Sequence, residues 1–335
     1  MKVFAICVLV FANAFSAFAA GPTLEELSSH LFTNATIVWQ APANHLPKYF
    51  WIYQRQLPRV FSVTVISNAI VLGSLQSSGF PQPSTNETCI TLGPPCPCGN
   101  ICNFSIDPNE ASIGFVSTND NDASPNAIPS DEVIARRAWD CVSQLGLDPT
   151  QMIEKSFFTH LFDVYRTDKD KPDFVCGRGI YLSRQLDGVA FFSADNTGDD
   201  GEGFAIEFGS YGQIRSFSLR WSALERYERQ QTASLQDITR CIKAHKTVVV
   251  PNIGERNYFA RLKTLANAKK LTITKITPVY AEWVFGIVPT NDVPCKFATP
   301  FAELEATADF GTSNATVRLV SPILLSDVNR LLAGK

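Results

Sequence analysis

The feature that most constrains this chain is a strict two-residue alternation near its middle. Phe204, Ile206 and Phe208 alternate with Ala205 and Glu207, Ser210-Tyr211-Gly212 interrupts, and Phe217, Leu219 and Trp221 alternate again. Period two puts each apolar set on one side of a strand, and a glycine-containing turn joins the two runs. The spacing predicts an antiparallel hairpin with Trp221 in a sheet core. Helical periods flank it. Ser130 reads as an N-cap, Asp131 and Glu132 fill the first turn, Ile134, Ala138, Cys141 and Leu145 make one face, and Gly146 ends the helix. Ser234 with Asp237 caps a second helix, whose face is Leu235, Ile238, Cys241, Ile242 and His245. Tyr258, Leu262, Leu265 and Ala266 suggest a third. Val279, Ala281, Trp283, Phe285 and Ile287 then share one strand face, with Trp283 expected in the same core as Trp221, and a last hairpin is expected over 306–320 around Gly311 and Asn314. The expected fold class is α+β, antiparallel sheets with packed helices.

The amino terminus reads as a cleavable leader. Met1-Lys2 is a short positive segment, residues 3–18 are almost unbroken apolar, and Ala17-Phe18-Ala19 with Gly21-Pro22 marks cleavage near Ala19 or Ala20. This predicts a secreted, extracellular protein divided into a signal peptide (1–20), a strand-rich and Cys-rich region (21–129) and an α+β domain (130–325). Within the first region, Tyr49-Phe50-Trp51-Ile52-Tyr53 reads as strand. So does the Val- and Ile-rich stretch 60–75, too short to span a bilayer. Between 76 and 130 the composition turns to Pro, Gly, Asn, Asp and Ser, and this region reads as loops stapled by disulfides. Losing the leader removes Cys7 and leaves an even set: Cys89, Cys96, Cys98, Cys102, Cys141, Cys176, Cys241 and Cys295. In an oxidising compartment such a set is expected to pair, and Cys96, Cys98 and Cys102 are read as disulfide partners in preference to zinc ligands. Asn34, Asn86, Asn103 and Asn314 each begin an acceptor sequon for glycosylation.

Charge and motifs narrow the function. Lys+Arg 29 against Asp+Glu 32, with no basic run, argues against a nucleic-acid partner. No H-E-x-x-H, G-x-S-x-G or phosphate-cradling glycine loop occurs, so no cofactor and no metal are expected. His245 on its helix face reads as a structural imidazole. The loop from Asp195 to Glu202 resembles an EF-hand start, but Asp200 stands where glycine is required and Ile206 where the bidentate acid belongs, so it reads as a solvated turn. Asn119 to Asp122 reads likewise. Arg220, Glu225, Arg226, Glu228 and Arg229 read as a mixed-charge solvent face, although Glu225 and Glu228 beside Trp221, with Asp187, could serve a sugar-cleaving site.

The order of the segments DEVIARRAWDCVSQLGLDP, GIYLSRQLDGV, GFAIEFGSYGQIRSFSLRWSALERY, SLQDITRCIKAHK and LTITKITPVYAEW resembles the layout of PepSY-like and YycI-type extracytoplasmic regulatory domains over about residues 130–310. Asp187-Gly188, Gly212, Trp221, Pro278 and Tyr280 carry the likeness. It implies regulation or inhibition by binding. The expected function is therefore a secreted non-catalytic binding or regulatory glycoprotein, its partner an extracellular protein or carbohydrate. The alternatives are an extracellular hydrolase whose site assembles from distant residues such as His160, Asp187 and Glu225, and a structural wall or coat glycoprotein.

Overall fold

The computed structural model describes residues 31–42, 46–55, 61, 63–72, 84–86, 89–92, 102–107, 112–117, 127–162, 174–192, 202–250, 257–281 and 297–334. Strands β1 (Thr36–Trp39) and β2 (Tyr49–Arg55) come first, then helix α1 (Val63–Leu72) and strands β3 (Ser84–Asn86), β4 (Cys89–Leu92), β5 (Cys102–Asp107) and β6 (Ser112–Ser117). Helix α2 (Asp131–Leu145) leads into β7 (Met152–Phe162), β8 (Phe174–Leu186), β9 (Val189–Ala190), β10 (Gly203–Phe208), β11 (Ile214–Arg220) and β12 (Leu224–Gln231). The last third holds α3 (Leu235–Lys243), β13 (Val248–Val249), α4 (Tyr258–Leu265), β14 (Lys270–Ala281), β15 (Phe297–Asp309), β16 (Asn314–Pro322) and α5 (Leu325–Leu332).

These strands form two sheets. A nine-stranded sheet runs β3-β4-β5-β6-β11-β10-β8-β7, with β9 also on β8; a seven-stranded one runs β1-β14-β15-β16-β13, with β2 joined to β15 and β12. The expected α+β class is thus corrected to a β-dominated fold. Part of the reason is the 76–130 region, where Pro, Gly and Cys suggested loops but β3 to β6 pair as a meander that extends the first sheet through β6 and β11. The stretch read as strand over 60–75 errs the other way. Its β-branched residues favour strand by propensity, yet Ala69 and Leu72 are buried with Val65, Ile66 and Ile70 packed beside them, while Thr64, Ser67 and Val71 face out. That is helical spacing, and α1 packs on α2.

Each sheet has its own core. Ile134, Ala138, Cys141, Val142 and Leu145 of α2 lie on Ile180, Leu182, Phe204, Ile206, Phe217 and Leu219 of the nine-stranded sheet. Burying each of the larger aliphatic side chains stabilises the fold by about 1.5–3 kcal/mol. Gly146, at φ 75°, closes the helix as expected. Across the molecule, Ile238, Cys241 and Ile242 of α3 and Val328 of α5 pack with Leu271, Ile273, Leu304 and Leu319. The Ser234–Asp237 capping box is complete, each side chain bonded to the other's backbone N–H. Both predicted hairpins form, with Phe204 opposite Leu219 and Ile206 opposite Phe217 in one, and Asp309 opposite Asn314 in the other.

The disulfide expectation is corrected where it is described. Cys141 and Cys241 are free thiols in the two cores, and burial pushes each up to about 11. Each sits on a helix face among aliphatic side chains and behaves as a small hydrophobe. The sulfur of buried Cys176 accepts from the Arg215 guanidinium at 2.9 Å. No disulfide occurs among the described residues; the disulfides expected at Cys89, Cys96, Cys98, Cys102 and Cys295 fall on side chains that lie outside them. Residues 1–20, expected to form the leader, also lie outside. No helix among the described residues is long and apolar enough to cross a membrane.

Candidate functional site

The chain passes from the nine-stranded sheet to the seven-stranded one through a three-residue link, Trp221-Ser222-Ala223, between β11 and β12. At that crossing lies a cleft of about 480 Å³, a size that suits a small-molecule ligand. Phe61 just before α1, Val65 in its first turn, Leu147 after α2 and Leu224 of β12 give it apolar wall, while Asp148, Gln151, Arg184 and Glu225 give it polar wall.

Its floor is an ion cluster that ties the sheets together. Glu202, immediately before β10, is fully buried. It accepts from Arg184 of β8 at 2.7 Å and from Arg55 of β2 at 3.2 Å, and the Ser222 N–H bridges both its oxygens at 3.1 and 2.9 Å. Arg55 Nε also donates to Ser222 Oγ at 3.0 Å, and Arg184 Nη1 to the Ser222 carbonyl at 2.6 Å. Two guanidinium groups thus share one carboxylate in a region almost closed to water. Ions so placed persist only when hydrogen bonds satisfy them on all sides, because each loses several kcal/mol of hydration. Among the described side chains Arg184 Nε is the member of this cluster with no acceptor. Trp221 covers the same guanidinium, its ring centre 4.1 Å from the Arg184 central carbon, a contact worth on the order of 2 kcal/mol when desolvated.

A polar chain links this floor to the rim. Gln151 accepts from Arg184 Nη2 at 3.2 Å and donates to Asp148 at 3.4 Å, so its amide is oriented by a cation on one side and an anion on the other. Asp148 caps the short 3-10 turn before β7, accepting from the Thr150 hydroxyl at 2.7 Å and the Thr150 N–H at 2.9 Å. Those donors, the hydroxyl foremost, hold its carboxyl below the usual carboxylate range. The rim therefore stays anionic at any physiological pH, over a floor with one excess positive charge.

The residues singled out from sequence do not gather here. Asp187, in the turn after β8 at φ 51°, accepts from the Tyr53 hydroxyl at 2.5 Å and from Arg226 at 2.5 Å. Burial, with the Asp187 bond, pushes Tyr53 up to about 12. His160 pairs in register with Gly177 at the far end of β8 from Asp187, about 30 Å away at the rise of a strand. Glu225 lines the cleft, but its strand partner is Gln54, whereas Arg226, which holds Asp187, pairs with Tyr53; alternation puts Glu225 and Asp187 on opposite faces. The three do not converge. Trp221 is half-buried, packing against the nine-stranded sheet's core while stacking on Arg184, and Trp283 lies outside the described residues. His245 lies past the end of α3 at φ 58°, off the helix face expected to carry it, and bonds Leu31 O at 2.9 Å and Thr33 at 3.1 Å. Asn34 and Asn314 are exposed, and the side chains of Asn86 and Asn103 lie outside the described residues, as do Asn119–Asp122 and Asp195–Gly201.

Glu202 was read as part of a solvated acidic turn and is a core residue. The signal lay in its partners. Arg55 ends a strand run that is aromatic and aliphatic apart from Gln54, and Arg184 follows Ile180-Tyr181-Leu182-Ser183, all four buried. A charge set at a core-facing position demands a buried counter-charge. No protein-family model and no curated protein matches the chain.

Proposed function

We propose that this chain is a secreted, non-catalytic binding or regulatory protein, and that the cleft at the sheet crossing receives a small saccharide-like ligand. The observation that carries this reading is the fixed Arg184–Gln151–Asp148 chain beside Trp221: donors, acceptors and an aromatic surface are held in place before any ligand arrives. Ring hydroxyls suit Asp148, Gln151 and Glu225, and an apolar sugar face suits Trp221 and Leu224. The carboxylates nearest the cleft favour binding over proton transfer. Glu202 is fully buried with its oxygens occupied by donors, and Asp148 is held below the usual carboxylate range, so Asp148 is not poised as a general acid near neutral pH. The likeness of residues 130–310 to PepSY-like regulatory domains, and the leader at 1–20, support the regulatory and secreted parts of the proposal.

Isothermal titration with a panel of neutral mono- and oligosaccharides tests it. At least one should bind, and Asp148→Asn and Glu225→Gln should each weaken that ligand by about tenfold, the loss of one hydrogen bond to a charged group, with the melting curve retained. Wild-type protein that binds none of the panel overturns the saccharide reading, as does equal binding by both variants. Release of new reducing ends during the titration overturns the non-catalytic reading.

A further inference from the structure

The charges of β12 are sorted by a bulge. They read Glu225-Arg226-Tyr227-Glu228-Arg229, and in an unbroken strand Arg226 and Arg229, three apart, would point to opposite faces. The register shifts between Arg226 and Glu228, so that Arg226 pairs with Tyr53, Glu228 with Ile52 and Arg229 with Trp51. Paired residues share a face. Both arginines therefore lie with Tyr53, Trp51 and Tyr49 on one side, and both glutamates lie with Gln54 and Ile52 on the other. Re-aiming side chains is what bulges do.

The result is a row of cations on aromatic rings. The Arg226 guanidinium lies 5.4 Å from the Trp51 ring centre, that of Arg229 lies 4.9 Å from Tyr49, and Lys48 Nζ lies 5.6 Å from the same Tyr49 ring. All three cations are exposed, as is Tyr49. Asp187 offsets part of this charge through Arg226. Tyr49 and Trp51 are successive same-face positions, so the two cation-bearing rings are about 7 Å apart along the strand. The positive charge is local, because the whole chain carries a formal net charge of −3.

We propose that this face binds an extended anionic polysaccharide, whose sulfate or carboxylate groups meet Lys48, Arg229 and Arg226 in turn. A polyanion with successive charges suits this face, because the three cations lie on Tyr49 and Trp51, neighbouring same-face positions of β2. A single-stranded nucleic acid would need free aromatic faces on which to stack its bases. Tyr49 and Trp51 already carry guanidinium groups on theirs. The site is separate from the cleft: the residues lining the cleft include none of Lys48, Tyr49, Trp51, Arg226 and Arg229.

Heparin serves as the probe, titrated into the full-length protein at about 50 mM salt and again at higher salt, where counterion release weakens polyanion binding. The expected result is saturable binding that weakens with salt. The double variant Lys48→Ala/Arg229→Ala, at exposed positions, should bind about tenfold more weakly with a shallower salt dependence. Glu228→Gln adds the same sign of charge on the other face and should stay within about twofold of wild type. No heparin binding at low salt overturns the proposal. So does tightening by Glu228→Gln comparable to the loss in the double variant, which would mean unspecific charge attraction. Tighter binding of a single-stranded oligonucleotide than of heparin overturns it in favour of nucleic acid.

Discussion

Replacing Glu202 with Gln tests the junction between the sheets. The side chain keeps its shape, but Arg55 and Arg184, with side-chain exposures of 0% and 5%, then face each other across a neutral amide. The amide also offers one acceptor oxygen where the carboxylate offers two, so the Ser222 N–H or one guanidinium loses its partner. Breaking a buried ion pair by removing one partner costs about 3–5 kcal/mol, far more than the net worth of the intact pair, because the remaining charge is left without compensation. At about 2–3 °C per kcal/mol for a large domain, the midpoint of thermal unfolding should fall by roughly 6–15 °C. The control is Asp187→Asn, which neutralises the Arg226 ion pair, with side-chain exposures of 55% and 36%. Exposed pairs contribute about 0–1 kcal/mol, so the control should move the midpoint by no more than about 3 °C. Scanning calorimetry on both variants decides the matter. A Glu202→Gln protein that melts like the control would refute the buried cluster, and with it the fixed floor of the cleft.

Two further outcomes follow from buried titratable groups. Tyr53 is pushed up to about 12 by burial and by its bond to Asp187, against an ordinary value near 10. The folded state thus holds that proton longer than the unfolded one, and the stability it contributes, complete below pH 10, is lost as pH rises toward 12. Cys141 and Cys241, raised by burial to about 11, act in the same direction from pH 9 upward. Urea midpoints should fall steadily across pH 9–12, and Tyr53→Phe should flatten the upper part; a midpoint constant over that range contradicts the assignment. The same two cysteines should resist a thiol reagent in the folded protein and react fully in denaturant without reductant. If neither is labelled in denaturant, both are disulfide-bonded after all.

Some elements were legible in the sequence because local and global signals agreed. For α2 and α3, a cap, a 3.6-residue apolar period and a terminating residue coincide, and the β10–β11 hairpin has alternation on both sides of a glycine turn. Gly212, at φ 73°, occupies a backbone conformation that a side chain would strain. Legibility failed where composition and tertiary setting disagree. α1 is rich in β-branched residues and is helical because its buried positions fit α2, while β3 to β6 carry turn-forming residues and become strands because β11 offers them an edge. The cleft was the least visible feature. Its floor unites Arg55, Arg184, Glu202 and Ser222 from separate strands and links, and the Arg55–Glu202 contact spans 147 positions. No spacing rule reaches across that distance. Only the unpaired look of two arginines in apolar strands hinted at it.

The pairing of β1 with β14 sets an order of assembly. Thr36 lies beside Lys270, and Trp39 beside Ile273, in a parallel ladder. β2 likewise waits for β12 and β15. A ribosome adding about 5–20 residues per second separates the emergence of β1 from that of β14 by on the order of ten to fifty seconds. Throughout that interval the backbone groups of β1 have no native strand partner, whereas β2 gains β12 about 40 residues earlier. The nine-stranded sheet needs nothing beyond β11, so it can close while the other sheet is still incomplete. Of the strands in that sheet, β1 waits longest for its first ladder partner, and an unpaired strand edge of this kind invites a chaperone, or wrong pairing with a neighbouring copy.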